Sequence, residues 1–304
     1  MKRVLVIHYS QTGQLSTLLD RIVAPLQDAG FAVDHLPLRP ATPYPFPWTR
    51  LTFFNCFPEA VGHDPVPLEP LSMPPDGPYD LVILGYTIWF LNPSIPMTSF
   101  LKHPDAARYL ADRPVLTVVG ARNMWVLAQE HMRTAVAALR GRLVGHITVV
   151  DRSPNLVSVI TIIRWMFWGR RDPFLVFPAA GIRGEDMDAS ARFGRVLVQH
   201  LHRGEMTGLN TALRAEGSIR IVPSLLMLEK RATFLFGKYR RYILAKVDRD
   251  PSSRLRRVKV FSTVLTIGVF ILGPLTTLTT GLLSLVKRRQ LRAEVERLST
   301  YGDP

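Results

Sequence analysis

Cysteine is almost missing from this chain: 304 residues hold one, Cys56. A single thiol excludes an intramolecular disulfide and a cysteine-based zinc cluster, and it suits a reducing compartment. No His, Asp and Glu spacing suggests a metal site. No Gly-x-Ser-x-Gly run or triad order suggests a hydrolase. The start, Met1-Lys2-Arg3, runs straight into an apolar strand without a long apolar leader, so secretion is not expected. Internal repeats and low-complexity tracts are absent as well. Acidic residues are in short supply, 24 Asp and Glu against 38 Lys and Arg, for a net charge of +14. The imbalance sits at one end, because residues 205–304 hold 18 basic and 8 acidic side chains. A basic third beside an apolar run points to anionic membrane lipid rather than nucleic acid, whose groove the basic residues would have to line.

That apolar run, Val260 to Val286, has no charged residue and is flanked by Arg254, Arg256, Arg257 and Lys259 on one side and Lys287, Arg288 and Arg289 on the other. As a helix it would reach roughly 40 Å, more than a ~30 Å hydrocarbon core. Three readings stay open: a buried core helix, a transmembrane span kinked at Gly273-Pro274, or a re-entrant hairpin that turns there and keeps both basic flanks on the cytoplasmic face of the inner (plasma) membrane. Val157–Trp168 and Ile221–Val247 mix aromatics with Lys and Arg and read as interfacial, or as amphipathic helices packed on the domain.

The first two-thirds alternates strand and helix. Strands are expected at Val4–His8, Ala32–Leu36, Leu81–Gly85, Val115–Val119 and Gly145–Val150. Helices are expected at Gln14–Ala29, Pro96–Leu101, Met124–Leu139 and Ala189–His202. Five largely apolar runs imply a parallel sheet covered on both faces, an α/β doubly wound fold. Residues 1–204 would form this domain, with insertions at 38–78 and 152–187. A basic amphipathic region (205–259), the apolar segment (260–286) and a basic tail (287–304) would follow. Ligands of such sheets bind beyond the carboxyl ends of the strands.

Three loops fall at such ends. The first, Ser10-Gln11-Thr12-Gly13-Gln14, joins an apolar strand to a helix. Backbone amides, hydroxyls and the positive end of the helix dipole converge there and favour an anion. No Lys follows the glycine, and the glycine spacing is not that of a dinucleotide fold. The second follows the third strand and holds Tyr86, Thr87, Ile88, Trp89 and Phe90. The third, Gly120-Ala121-Arg122-Asn123, follows the fourth. Together they resemble the FMN-binding loops of flavodoxin-like reductases. Tyr9, Ser10, Thr12 and Gly13 match the phosphate loop, where Leu15 replaces the last hydroxyl. Gly85, Trp89, Phe90, Pro96, Phe100 and Leu101 match the flavin-ring loop, where Thr87 replaces a proline.

This resemblance implies a five-stranded sheet of order 2-1-3-4-5, FMN as cofactor, and Gly120–Asn123 against the pyrimidine edge of the flavin. It also implies a homodimer. The whole layout is similar to the flavodoxin-like proteins of bacterial dialkylresorcinol and aryl-polyene pigment clusters. That likeness implies oxidation of a lipophilic dialkyl cyclohexanedione to a resorcinol, beside a ketosynthase partner. On that reading Tyr86 could donate to a ring carbonyl and His131 could act as a base. A core tyrosine and a surface histidine are the plainer alternatives. A quinone reductase or electron carrier, and a membrane-tethered scaffold without FMN, remain the competing functions.

Overall fold

The five apolar runs form β1 (Arg3–His8), β2 (Ala32–Pro37), β3 (Leu81–Trp89), β5 (Pro114–Ala121) and β6 (Arg142–Val150), all parallel, in the order β2-β1-β3-β5-β6. The remaining strand, β4 (Asn92–Pro93), is two residues long and pairs antiparallel with the end of β3. With this stub set aside, the order is the expected 2-1-3-4-5 of flavodoxin-like sheets, with the crossover reversing between β1 and β3. This computed structural model describes residues 2–72 and 79–301. The end of the expected 38–78 insertion and residues 302–304 of the basic tail lie outside them.

Alternation along β1 shows why both faces had to be apolar. Leu5 and Ile7 enter one hydrophobic cluster, Val4 and Val6 the other, and all four are fully buried. Helices Gln14–Asp28 and Ala191–Arg203 cover the Val4 face. Helices Ile95–Leu101 and Val126–Ala138 cover the other. The core does not end at residue 204: Leu209 and Leu213 of helix Leu209–Ala215 are fully buried under the sheet.

The chain then forms helices Pro223–Leu244, Ser252–Ile267, Gly273–Val286 and Arg288–Ser299. Phe54 and Phe57 from the first insertion pack with Ile243, Val258 and Phe261, so an aromatic cluster joins the insertion to the C-terminal helices. The apolar segment 260–286 departs from both membrane expectations. Among the described residues, no helix is long and apolar enough to cross a membrane. A π-helical turn, Gly268–Leu272, separates a 16-residue helix from a 14-residue one. Nor does the chain reverse at Gly273-Pro274: Gly273 keeps helical dihedrals (φ −55°, ψ −49°), so no hairpin turns there.

Candidate functional site

A cleft opens beyond the carboxyl ends of β1, β3 and β5. The first wall is the β1 loop. Helix Gln14–Asp28 begins at Gly13, whose φ of +79° is left-handed and whose amide end has no side-chain cap. The nearest hydroxyl contacts are long, Gln14 N–H to Thr12 Oγ1 and Ser16 N–H to Ser10 Oγ, both at 3.4 Å. The first amides of a 15-residue helix are thus held only by long hydroxyl contacts, beside Gln11, Thr12, Gln14 and Leu15 of the cleft lining.

The second wall comes from β3, which runs on to Trp89 rather than ending at Gly85. Phe90 and Leu91 then turn at φ +48° and +65°, a primed hairpin made without glycine. Asn92 holds it, its amide donating to the Phe90 carbonyl at 2.8 Å. The turn leaves the Trp89 and Phe90 side chains on the cleft, and Tyr9 and Tyr44 meet Trp89 edge-on. Thr87 also lines the cleft, and its buried hydroxyl has no partner among the described residues.

The third wall is Gly120, Ala121 and Arg122. Arg122 donates to the Asn155 carbonyl (3.0 Å) and side-chain oxygen (2.7 Å), and Asn123 donates to the same side-chain oxygen at 3.0 Å. Burial lowers the Arg122 pKa to about 10, and Asp151 opposes the fall, so the guanidinium stays charged at neutral pH. Asp151 is the only acidic residue on the lining. Its oxygens are taken by the Ser153 amide (2.8 Å) and the Ser158 hydroxyl (2.7 Å).

Both insertions close over these walls. Phe46 and Trp48 come from the first; Ile162, Trp165, Met166, Gly181 and Ile182 from the second. Gln14 clasps the second insertion with one side chain, accepting the Ile182 N–H at 3.1 Å and donating to its carbonyl at 3.2 Å. Gly181 must be glycine, because a Cβ there would lie 2.7 Å from Gln14 Oε1 and 2.8 Å from the Trp165 ring. The enclosed space is about 190 Å³.

The three loops thus meet at one place. Gln11, Thr12, Gln14, Thr87, Ile88, Trp89, Phe90, Gly120, Ala121 and Arg122 line the cleft. Ser10, Gly13 and Asn123 are not part of that lining. The two catalytic candidates do not reach it. Tyr86 is fully buried beneath the sheet, donating to Gln129 Oε1 at 2.8 Å, because strand alternation turns it away from the face that Thr87 presents. His131 stacks on His63 (3.6 Å between centroids, 6° between planes) on the outer side of helix Val126–Ala138. The interfacial reading of Val157–Trp168 also changes: Trp165 is buried over the cleft, whereas Trp168 is 65% exposed. Trp48, Trp165 and the Gln14–Ile182 clasp had no motif to announce them. Clustered aromatics in both insertions were the one available signal.

No protein-family model matches the chain, and no curated protein sequence matches it. Solved structures do show similarity of outline. A flavoprotein in complex with FMN from Lactobacillus acidophilus NCFM is 15% identical (TM-score 0.40; 49% of this chain, 93% of that one). Oxidised flavodoxin 1 from Bacillus cereus is 11% identical (TM-score 0.36; 66% and 99%). The flavodiiron protein from Giardia intestinalis is 9% identical (TM-score 0.35; 67% and 38%). At such distances the likeness concerns outline alone.

Proposed function

We propose that the chain is an FMN-dependent oxidoreductase acting on a lipophilic substrate at a membrane surface. The observation that carries this reading is the convergence of three strand-end loops on one cleft, whose parts suit the parts of FMN. The uncapped helix end at Gly13 suits a phosphate, and a Cβ at Gly13 would have nothing within 4 Å. Trp89, Phe46, Trp48 and Trp165 offer apolar walls for a flat ring system. The Thr87 hydroxyl, on the cleft lining, is a buried polar atom without a partner among the described residues, as the lining of a polar-edged ligand would be.

When bound, FMN supplies two-electron redox chemistry. The protein's share is positional. Gln11, Thr12 and the first amides of the helix hold the anionic end. Arg122 would stabilise negative charge at the ring end, such as that on the enolic head of a substrate. The two insertions exclude water. A dialkyl cyclohexanedione, oxidised to the resorcinol, has the chemistry this site suits, since an enolic head needs no strong base and the carboxylate on the lining, Asp151, is held by Ser153 and Ser158. An acidic docking rim of the kind an electron carrier shows its basic partners is not part of the cleft lining, which favours catalysis over electron carriage.

Membrane association belongs to the same proposal. Val260, Val264, Ile267 and Ile271 follow helical spacing and are 42–67% exposed, while Leu175 and Val176 at a loop tip are 94% and 90% exposed. Lys and Arg flank this surface, as in monotopic proteins that lie in the interface. The test is the visible spectrum of full-length protein in mild detergent, with anaerobic reduction and identification of released flavin. Stoichiometric FMN, lost on Gly13→Asp, supports the proposal. Colourless protein that takes up no added FMN rejects it.

A further inference from the structure

The second insertion carries a finger. Phe174 and Phe177 pair across a tight turn, the Phe174 amide donating to the Phe177 carbonyl at 3.1 Å and the Phe177 amide to the Phe174 carbonyl at 2.8 Å. Their rings stack with centroids 5.0 Å apart. Leu175 takes the first turn position at φ +49°, a left-handed conformation that a leucine adopts at some cost. The turn holds Leu175 and Val176 outward, and no other large apolar side chain among the described residues is as exposed. Covering that tip takes a partner outside the chain.

Arginines fasten the root of the finger to the cover of the cleft. Arg164, on the covering helix Asn155–Trp168, donates to the Asp172 carbonyl (2.6 Å) and carboxylate (2.8 Å) and lies 4.6 Å over the Phe174 ring. Arg171 donates to the Ala180 and Ile182 carbonyls at 3.0 and 2.8 Å. It also sits 5.2 Å over the ring of Trp165, which lines the cleft. Ile182 is in turn the residue that Gln14 clasps from the β1 loop. Finger, covering helix and clasp thus form one connected piece.

A surface hollow adjoins the finger. Trp168, Phe174 and Phe270 line it together with Arg164 and Arg170. Phe270 and its exposed neighbour Ile271 belong to the π-helical turn, so the finger and the C-terminal apolar stripe border one patch of surface. An aliphatic tip, an exposed tryptophan and guanidinium groups at the root match the layers of an anionic bilayer, from acyl chain through interface to phosphate.

We infer that this segment is a membrane-keyed lid: Leu175 and Val176 insert into an anionic phospholipid bilayer, and docking holds the cover of the cleft shut. The bilayer favours the closed arrangement because that arrangement brings the finger and the stripe at Ile267 and Ile271 to it together. The coupling is mutual, so whatever closes the cover also tightens membrane binding. The inference rests on the oxidoreductase reading for FMN as the molecule retained, but closure itself is measured without flavin.

The test uses the full-length chain and vesicles of phosphatidylglycerol and phosphatidylcholine. In flavin-free protein, hydrogen exchange at the Ile182 amide, which the Gln14 side chain holds, should slow on vesicles by at least about fivefold, the lower end for linked sites. In loaded protein, FMN release should slow on vesicles by a similar factor, followed by the recovery of flavin fluorescence. Leu175→Asp combined with Val176→Asp should remove both effects and leave the circular dichroism spectrum and melting temperature as they were. Arg171→Met keeps the tip and cuts its link to the cover, so it should still float with vesicles yet lose both effects. Exchange and release that vesicles leave unchanged, or slow equally in either variant, overturn the inference. Slower Ile182 exchange on vesicles in protein that takes up no FMN supports the lid and rejects the oxidoreductase reading.

Discussion

The Glu229 carboxylate accepts the Leu127 amide N–H at 2.8 Å and the Val126 amide at 3.3 Å. A C-terminal helix thereby caps the start of helix Val126–Ala138, for which the local sequence supplies no side-chain cap. Glu229 is 1% exposed, and burial raises its pKa to about 7 although the two amide bonds favour the charged form. Between its ordinary value near 4.5 and about 7, the unfolded chain releases a proton that the folded chain keeps. This group's contribution to stability is therefore whole at low pH, falls as pH rises through that window and levels off above it, by roughly 3 kcal/mol at most. Glu229→Gln keeps an accepting oxygen and removes the charge. Denaturant titrations at pH 5 and pH 8 should show the pH difference shrink in the variant.

The His63–His131 stack has the opposite sign. Burial, then His63 and Lys102, push the His131 pKa down to about 4, and burial lowers His63 too. Stability from the stacked pair is present above the ordinary histidine range and is lost as pH falls toward 4. The His131 ring proton should titrate near that value by NMR. His131→Phe should flatten the acid limb of the stability curve and leave turnover within about twofold, since the residue lies away from the cleft.

Thr87 separates a binding role from a structural one. Its unpartnered hydroxyl costs the flavin-free protein something, so Thr87→Val should leave that form equally stable or up to about 1 kcal/mol more stable. The same change should weaken FMN binding several-fold by equilibrium dialysis. Unchanged affinity would remove Thr87 from the ring site.

Gly194 is where helix Ala191–Arg203 crosses helix Gln14–Asp28. A Cβ there would sit 2.1 Å from the Ile22 carbonyl oxygen and 3.0 Å from Pro25. Backbone cannot yield as a side chain can. Gly194→Ala should cost at least about 2 kcal/mol and lower the melting temperature by several degrees.

The exposed stripe is checked by flotation with phosphatidylglycerol-containing vesicles. Ile267→Glu combined with Ile271→Glu should reduce binding at least roughly tenfold, because two apolar anchors are replaced by charges that anionic lipid repels. Melting should hardly change, since both side chains are at least half exposed.

The parallel sheet was legible because its strands must be apolar on both faces, and Val4 to Ile7 have no polar face to present. The phosphate-type loop was legible for a similar reason: a glycine between a strand and a helix marks a left-handed start, which Gly13 adopts. Of the two readings of Tyr86, donor to a substrate or core tyrosine, register decides for the core. Extending β3 to Trp89 places Tyr86 inside a strand, where alternation sends it into the core. The apolar segment was misjudged because hydropathy averages over a run and does not see a change of helical period. The covering residues, Trp48 and Trp165 above all, come together through contacts between distant insertions, and no local pattern encodes such a meeting.

The π-helical turn at Gly268–Leu272 has a consequence for phase. Before it, helix Ser252–Ile267 faces the first insertion: Arg50 donates to the Ser262 carbonyl and to the Thr266 hydroxyl, each at 3.1 Å. After it, helix Gly273–Val286 lies along helix Pro223–Leu244. The extra residue in the turn resets the angular position of every later side chain by roughly 100°. The turn thus works like a gear tooth between two meshed surfaces. Deleting one residue within 268–272 should misalign the entire downstream helix, whereas a conservative substitution at the same place should not.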